Sequence, residues 1–276
     1  MLGNIKAATS IINNLNKSYT VTDMAMERIS SGNRINRAAD DAAGLAISEK
    51  LLSQMNGLNI AAKNTQDGIS MIQTAEGAMN ETHAIVQKMR ELAVQSSNDT
   101  NTPQERDALN LQFQELIKEI DRIAKDTQFN TRTLLNGDYK DRPLKLQIGA
   151  NSGQHMDIYI RDMRWDSLIG NNSGSTDLNL LTQENSDAMI GVMDKVLNVV
   201  SSERGKMGAY TNRLEHAYNN TLNTGENLTA AYSQIKDADI AKEIMRITTE
   251  SIKQQAATSV LSMHMQTASN VLNLLR

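Results

Sequence analysis

The chain has 276 residues, with 28 Lys+Arg against 32 Asp+Glu, no cysteine, two prolines and 3% aromatic residues. Zero cysteine excludes disulfides, thiolate metal sites and a cysteine nucleophile. The near-balanced charge argues against a dedicated nucleic-acid binder, and sparse aromatics leave few platforms for stacking bases or sugars. Length alone gives a prior of about two domains. The prolines, Pro103 and Pro143, leave long uninterrupted stretches on either side, which suits long helices better than a many-turned β protein.

The opening Met1-Leu2-Gly3-Asn4-Ile5-Lys6 has no continuous apolar core followed by a small-residue cleavage site, so no cleaved secretory signal is expected. Before Asp23 the only charged side chains are Lys6 and Lys17. From Leu51 a seam runs through Met55, Leu58, Ala62, Thr65, Ile69, Ile72, Ala75, Met79, Thr82, Val86, Met89 and Ala93. Its mean spacing of about 3.5 residues is that of a coiled-coil seam. With Asp40 or Asp41 as cap and the polar run Asn98–Thr102 as stop, this predicts one helix of roughly 55 residues, about 80 Å at 1.5 Å per residue. Such a helix suits a rod or an assembly. Thr102 and Pro103 open a second helix to about Asp126, with Leu109, Phe113, Leu116, Ile120 and Ile123 on one face.

Between about Gln128 and Thr182 the pattern changes. Leu144, Leu146 and Ile148, then Met156, Ile158 and Ile160, alternate with polar residues around Gly149–Gly153, predicting a β-hairpin. Asn171–Thr176 reads as a polar loop. Helical periodicity returns at Met189, Val192, Val196 and Val199, resumes from Met207 to Leu228, and ends with Ile252, Ala256, Val260, Met263, Thr267, Val271 and Leu274. Gln254 to Leu275 carries no Asp, Glu, Lys or Arg, but its Gln, Ser, Thr and Asn side chains need partners that lipid lacks. It is expected to be a protein-contact helix, without membrane insertion.

The expected fold is therefore mainly α: a long antiparallel coiled-coil or helical-bundle rod from paired N- and C-terminal helices, with a small β-hairpin in the middle. The charge-poor, amphipathic ends point to assembly, each end being poorly ordered in the monomer and folding when neighbouring copies cover it. The alternative is a stable monomer in which the two ends simply cover each other. Ile11, Leu15, Met24, Ile252, Val260, Met263, Val271 and Leu274 are the candidate polymerisation residues.

Chemistry-bearing clusters are sparse. His83, His155, His216 and His264 have no metal-ligand spacing, and Gly205-Lys206 lacks the upstream glycine of a phosphate loop. Asp40-Asp41 suits helix capping better than an acid pair. No catalytic arrangement and no cofactor are expected.

Longer strings carry a family resemblance. Ala25-Met26-Glu27-Arg28-Ile29-Ser30-Ser31-Gly32, then Arg34-Ile35-Asn36-Arg37-Ala38-Ala39-Asp40-Asp41-Ala42-Ala43-Gly44-Leu45-Ala46-Ile47-Ser48, resembles the N-terminal signature of bacterial flagellin. Arg90-Glu91-Leu92-Ala93-Val94-Gln95, Leu146-Gln147-Ile148-Gly149-Ala150-Asn151, Glu226-Asn227-Leu228-Thr229-Ala230-Ala231 and Val271-Leu272-Asn273-Leu274-Leu275-Arg276 continue it. The resemblance covers nearly the whole chain. It implies a structural, extracellular subunit of the flagellar filament, the propeller for swimming motility. Export would proceed unfolded through the type III export apparatus, for which a cysteine-free chain is suited.

By the same resemblance, residues 1–40 and 233–276 are terminal inner-tube helices with a connecting spoke, and 41–232 a helical rod with its hairpin near 144–162. Outer domains are expected to be absent. The implied partners are further copies in a helical homopolymer, an export chaperone, the filament cap and the hook–filament junction proteins. The segment Gln87, Lys88, Arg90, Glu91 and Leu92 corresponds to the one sensed by Toll-like receptor 5. Lys88 stands where strong agonists have arginine and Gln112 where they tend to have glutamate, and lysine lacks arginine's planar fork. Ser173, Ser175 and Thr176 are loop hydroxyls suited to surface glycosylation. Other readings are a hook–filament junction protein, which shares the terminal logic, and a monomeric coiled-coil adaptor.

Overall fold

A computed structural model describes residues 2–170 and 179–274, apart from the side chains of 2–5, 268 and 271–274. Among the described residues the order is α1 (Leu2–Ser31), α2 (Ala42–Ser96), α3 (Pro103–Asp126), β1 (Gln128–Phe129), β2 (Arg132–Thr133), β3 (Leu144–Gln147), β4 (His155–Ile158), α4 (Trp165–Ile169), α5 (Gln183–Lys236) and α6 (Ile240–Leu274). The expected mainly helical fold with a central hairpin is what the chain forms. The backbone divides into two compact units: unit 1 comprises 1–53 and 226–276, and unit 2 comprises 54–225.

Local chemistry explains the helix boundaries. The Asp41 carboxylate accepts from the Gly44 N–H at 2.8 Å, and the Asp41 carbonyl accepts from Leu45 N at 2.9 Å, opening α2. Asp40 turns instead toward the preceding loop, accepting from the N–H groups of Asn36 and Arg37 at 3.1 and 3.0 Å. Those bonds, Arg37 first, hold its carboxyl below the ordinary range. Thr102 caps α3 in a reciprocal box: its hydroxyl accepts from Glu105 N, while the Glu105 carboxylate accepts from Thr102 N at 2.7 Å.

Unit 2 closes a continuous core. Met79, Val86 and Met89 of α2, Phe113 and Ile120 of α3, Met156 and Ile158 of β4, and Met193, Val200 and Met207 of α5 join one apolar cluster. Phe113 meets Trp165 edge to face, with ring centroids 6.3 Å apart. Buried hydroxyls in the seam satisfy themselves on their own helix: Thr65 donates to the Ala61 carbonyl at 2.7 Å and Thr82 to Ala78 at 3.0 Å.

The hairpin pairs Leu144 with Ile158 and Gln147 with His155. Two glutamines shape its turn. Gln147 Nε2 donates to the carbonyls of Gly149 and Asn151 at 2.8 Å, and Gln154 Oε1 accepts from Asn151 N at 2.9 Å. Gly68 of α2 leaves the notch that Leu146 fills; a Cβ there would overlap the Leu146 methyl. The extended segment after β4 is pinned by side chains. Buried Glu203 accepts from Arg161 N at 3.2 Å, and Asp121 accepts from Trp165 N at 2.9 Å.

Two elements depart from the sequence expectation. A second, two-residue hairpin, β1–β2, turns at Asn130 and Thr131, whose φ values are +49° and +64°. The C-terminal helical stretches read separately from Met189 to Leu228 are one helix of 54 residues.

Candidate assembly surface

Unit 1 pairs α1 with α6 antiparallel, the pairing of N- and C-terminal helices that the sequence predicts. The joint combines half-buried apolar side chains such as Leu15, Val21, Ile247 and Leu261 with polar bonds. Ser18 Oγ donates to Glu250 Oε2 at 2.7 Å, Gln254 Nε2 to Thr22 Oγ1 at 3.1 Å, and Arg28 Nη1 to Glu243 Oε1 at 3.2 Å. Lys253 Nζ donates to the other Glu250 oxygen at 2.8 Å. The Lys253 bond first, and the Ser18 bond second, hold the Glu250 carboxyl below its ordinary value of 4.5. Fully buried Ala25 and nearly buried Ser18 are small, which lets the helices approach closely. Beyond the helices, Arg34 N donates to the Lys236 carbonyl at 2.6 Å and Ala238 N to the Gly32 carbonyl at 2.9 Å, around a bridge between Asn33 and Asp237.

That joint leaves a set of large apolar side chains exposed. Among the described residues, Ala25 and Ile35 are the buried apolar side chains of unit 1. On α6 the row Glu243, Glu250, Gln254 and Leu261 is buried or half-buried. Met245, Ile252, Ala256, Val260 and Met263 recur on the helix side roughly half a turn away and are all exposed. On α1, Ile12, Tyr19 and Met26 recur every seven residues and are also exposed.

The candidate residues therefore separate. Ile252, Val260 and Met263 stand on the free stripe. Ile11, Leu15 and Met24 are half-buried, and Leu15 lines a groove along the helix pair with Ser18, Val21, Glu250 and Ala257. The helix reaches Leu274, but the side chains of Val271 and Leu274 lie outside the described ones. Ile12, Tyr19, Met26 and Met245 were not singled out by sequence; the seven-residue step from Ile12 to Met26 was the available signal.

The Gln87–Leu92 segment lies on α2 within unit 2. Leu92 is 3% exposed and belongs to the core. Arg90 Nε donates to Asp194 Oδ1 of α5 at 2.7 Å, Lys88 Nζ to Glu91 Oε2 at 2.8 Å, and Gln87 lies against His83. Lys88 and Leu92 join Leu111, Gln112, Glu115 and Leu116 around an open groove of about 450 Å³. Ser173, Ser175 and Thr176 lie outside the described residues. Among the described residues no helix is long and apolar enough to cross a membrane, and no group of acidic and histidine side chains is placed to hold a metal.

The comparisons with known proteins agree with this architecture. The bacterial flagellin N-terminal helical region matches residues 4–140, and the bacterial flagellin C-terminal helical region matches residues 190–275. A flagellin of Halalkalibacterium halodurans is 49% identical over 252 residues, spanning 91% of each chain. The flagellar filament 33 kDa core protein of Treponema phagedenis is 40% identical over 260 residues, again 91% of each. Among solved structures, Bacillus cereus flagellin superposes with a TM-score of 0.51 at 28% identity, covering 58% of this chain and 88% of that one. With both family regions and near full-length relatives in agreement, this chain belongs to the bacterial flagellin family, in a short form.

Proposed function

We propose that the chain is the structural subunit of a bacterial flagellar filament, an extracellular helical homopolymer that serves as the propeller for swimming. One observation carries the reading. α6 is paired with α1 on one side and presents Met245, Ile252, Val260 and Met263 on another. Apolar stripes of this kind are stable in water only when covered, and further copies of the same helices supply a matching cover.

In this reading residues 1–40 and 233–276 make the inner-tube contacts, with Ile11, Leu15, Met24, Val271 and Leu274 as further polymerisation residues. Residues 41–232 form the surrounding helical layer with its hairpin. Export uses the type III export apparatus and an export chaperone without a cleaved signal, and the filament cap and hook–filament junction proteins bound the polymer. The groove beside Lys88 and Gln112 is the surface offered to Toll-like receptor 5, and Ser173, Ser175 and Thr176 are offered for glycosylation.

The test is polymerisation of purified subunit, followed by sedimentation and electron microscopy. Long filaments are expected from the unsubstituted chain, and none from the Ile252→Asp/Val260→Asp double variant, which should keep the helical circular-dichroism signal. Filaments of normal length from the double variant would sink the reading. Short oligomers alone from the unsubstituted chain would favour a junction protein.

A further inference from the structure

The methionines divide between the two units. In unit 2, Met71, Met79, Met89, Met156, Met163, Met189, Met193 and Met207 are buried in the core, and Met55 is half-buried. In unit 1 no described methionine is buried: Met24 is half-buried, while Met26, Met245, Met263 and Met265 are 57%, 63%, 61% and 67% exposed. Met245 and Met263 share the free stripe of α6 with Ile252 and Val260.

A thioether in that position has chemistry that leucine lacks. The sulfur lone pair attacks one oxygen of hydrogen peroxide, and the S–O bond forms as the O–O bond breaks. Sulfur gives up two electrons; the other oxygen leaves as water after taking the proton of the transferred hydroxyl. The sulfoxide is polar and a strong acceptor, and in a dry helix–helix contact it is left without a donor. The same event at Met79 or Met207 requires unit 2 to open first, because those sulfurs lie in the core.

We propose that Met245 and Met263 are oxidation sites through which peroxide renders the unassembled subunit unable to polymerise, reversibly by methionine sulfoxide reduction, while unit 2 stays folded. This rests on the filament reading above. Once copies cover the α6 stripe, both sulfurs are withdrawn from solvent, so the finished polymer is protected where the free subunit is not.

The experiment treats purified full-length subunit with limiting hydrogen peroxide, maps the added oxygen by peptide mass spectrometry, and measures sedimentable polymer. Met245 and Met263 should gain oxygen before the eight buried methionines, and most sedimentable polymer should be lost. Treatment with methionine sulfoxide reductases of both stereospecificities should restore it. The Met245→Leu/Met263→Leu variant, close in volume, should polymerise and keep doing so after peroxide. Undiminished polymer from the oxidised unsubstituted chain overturns the proposal, as does a loss that the reductases do not reverse. So does an equal loss in the double variant. The reductase arm uses the unsubstituted chain, so its outcome does not depend on how the variant folds. An untreated chain that forms no polymer refutes the filament reading instead.

Discussion

The two units solve opposite problems with similar helices. Unit 2 buries its own seams, with Met79, Met89, Phe113, Met193 and Met207 shielded from solvent. Unit 1 joins its helices through Ser18, Thr22, Arg28, Glu243, Glu250 and Gln254 and leaves Ile12, Tyr19, Ile252 and Met263 uncovered. Polar joints fix register at little net gain, since each intramolecular hydrogen bond contributes about 0.5–1.5 kcal/mol after exchange with water. Apolar burial is what holds unit 2, whereas unit 1 keeps its apolar surface in reserve.

The contrast is easiest to break with truncations. Phe113→Ala should lower the stability of the isolated subunit by about 3–5 kcal/mol, through lost burial and a cavity beside Trp165. Ile252→Ala, on the free stripe, should stay within about 0.5 kcal/mol in the same denaturant titration. Equal losses would mean that the stripe is covered in the single chain. Gly68→Ala comes next: the added methyl overlaps Leu146, and overpacking of about 1–3 kcal/mol should appear as a lower denaturation midpoint. Hairpin amides should exchange faster in that variant.

Ser18→Ala should cost about 1 kcal/mol and raise hydrogen exchange in α1 without changing unit 2. Acidification should have the smallest effect. The Glu250 carboxyl is held below 4.5 in the folded chain, so its contribution is present above that pH and is lost as pH falls through the folded value. Exchange protection in α6 should then weaken below about pH 4.5 while the core of unit 2 keeps its protection. Glu250→Gln should remove that pH response.

Long periodic signals were legible in the sequence. The seam of α2 predicted its full length, because Ala62, Ile72, Met79, Val86, Met89 and Ala93 all face the core. Thr102 and Pro103 marked the start of α3, and the structure adds Glu105 as the other half of the capping box. The turn of β1–β2 was not legible. Asn130 favours a positive φ, but β-branched Thr131 does not, and tertiary context decides it. In α6 the row Ile252, Val260 and Met263 was visible as a stripe, yet hydrophobic period says that a face needs cover and not which helix covers it. The partner α1 takes the other row, where Ile247, Ala257 and Leu261 are half-buried and hydroxyl, amide and carboxylate bonds fix the register.

The bridge between Asn33 and Asp237 has a further consequence. It clasps the chain at two points far apart in sequence, so everything between them is, for unit 1, a closed loop. The entropy of closing a loop grows only logarithmically, about 0.6 kcal/mol for each doubling of a flexible length. Chain spliced into the middle, beyond Gly170, therefore taxes the clasp very little. The ends can keep one geometry while the middle of the sequence drifts in length, so the joint at the termini and the length of the chain between them can change independently.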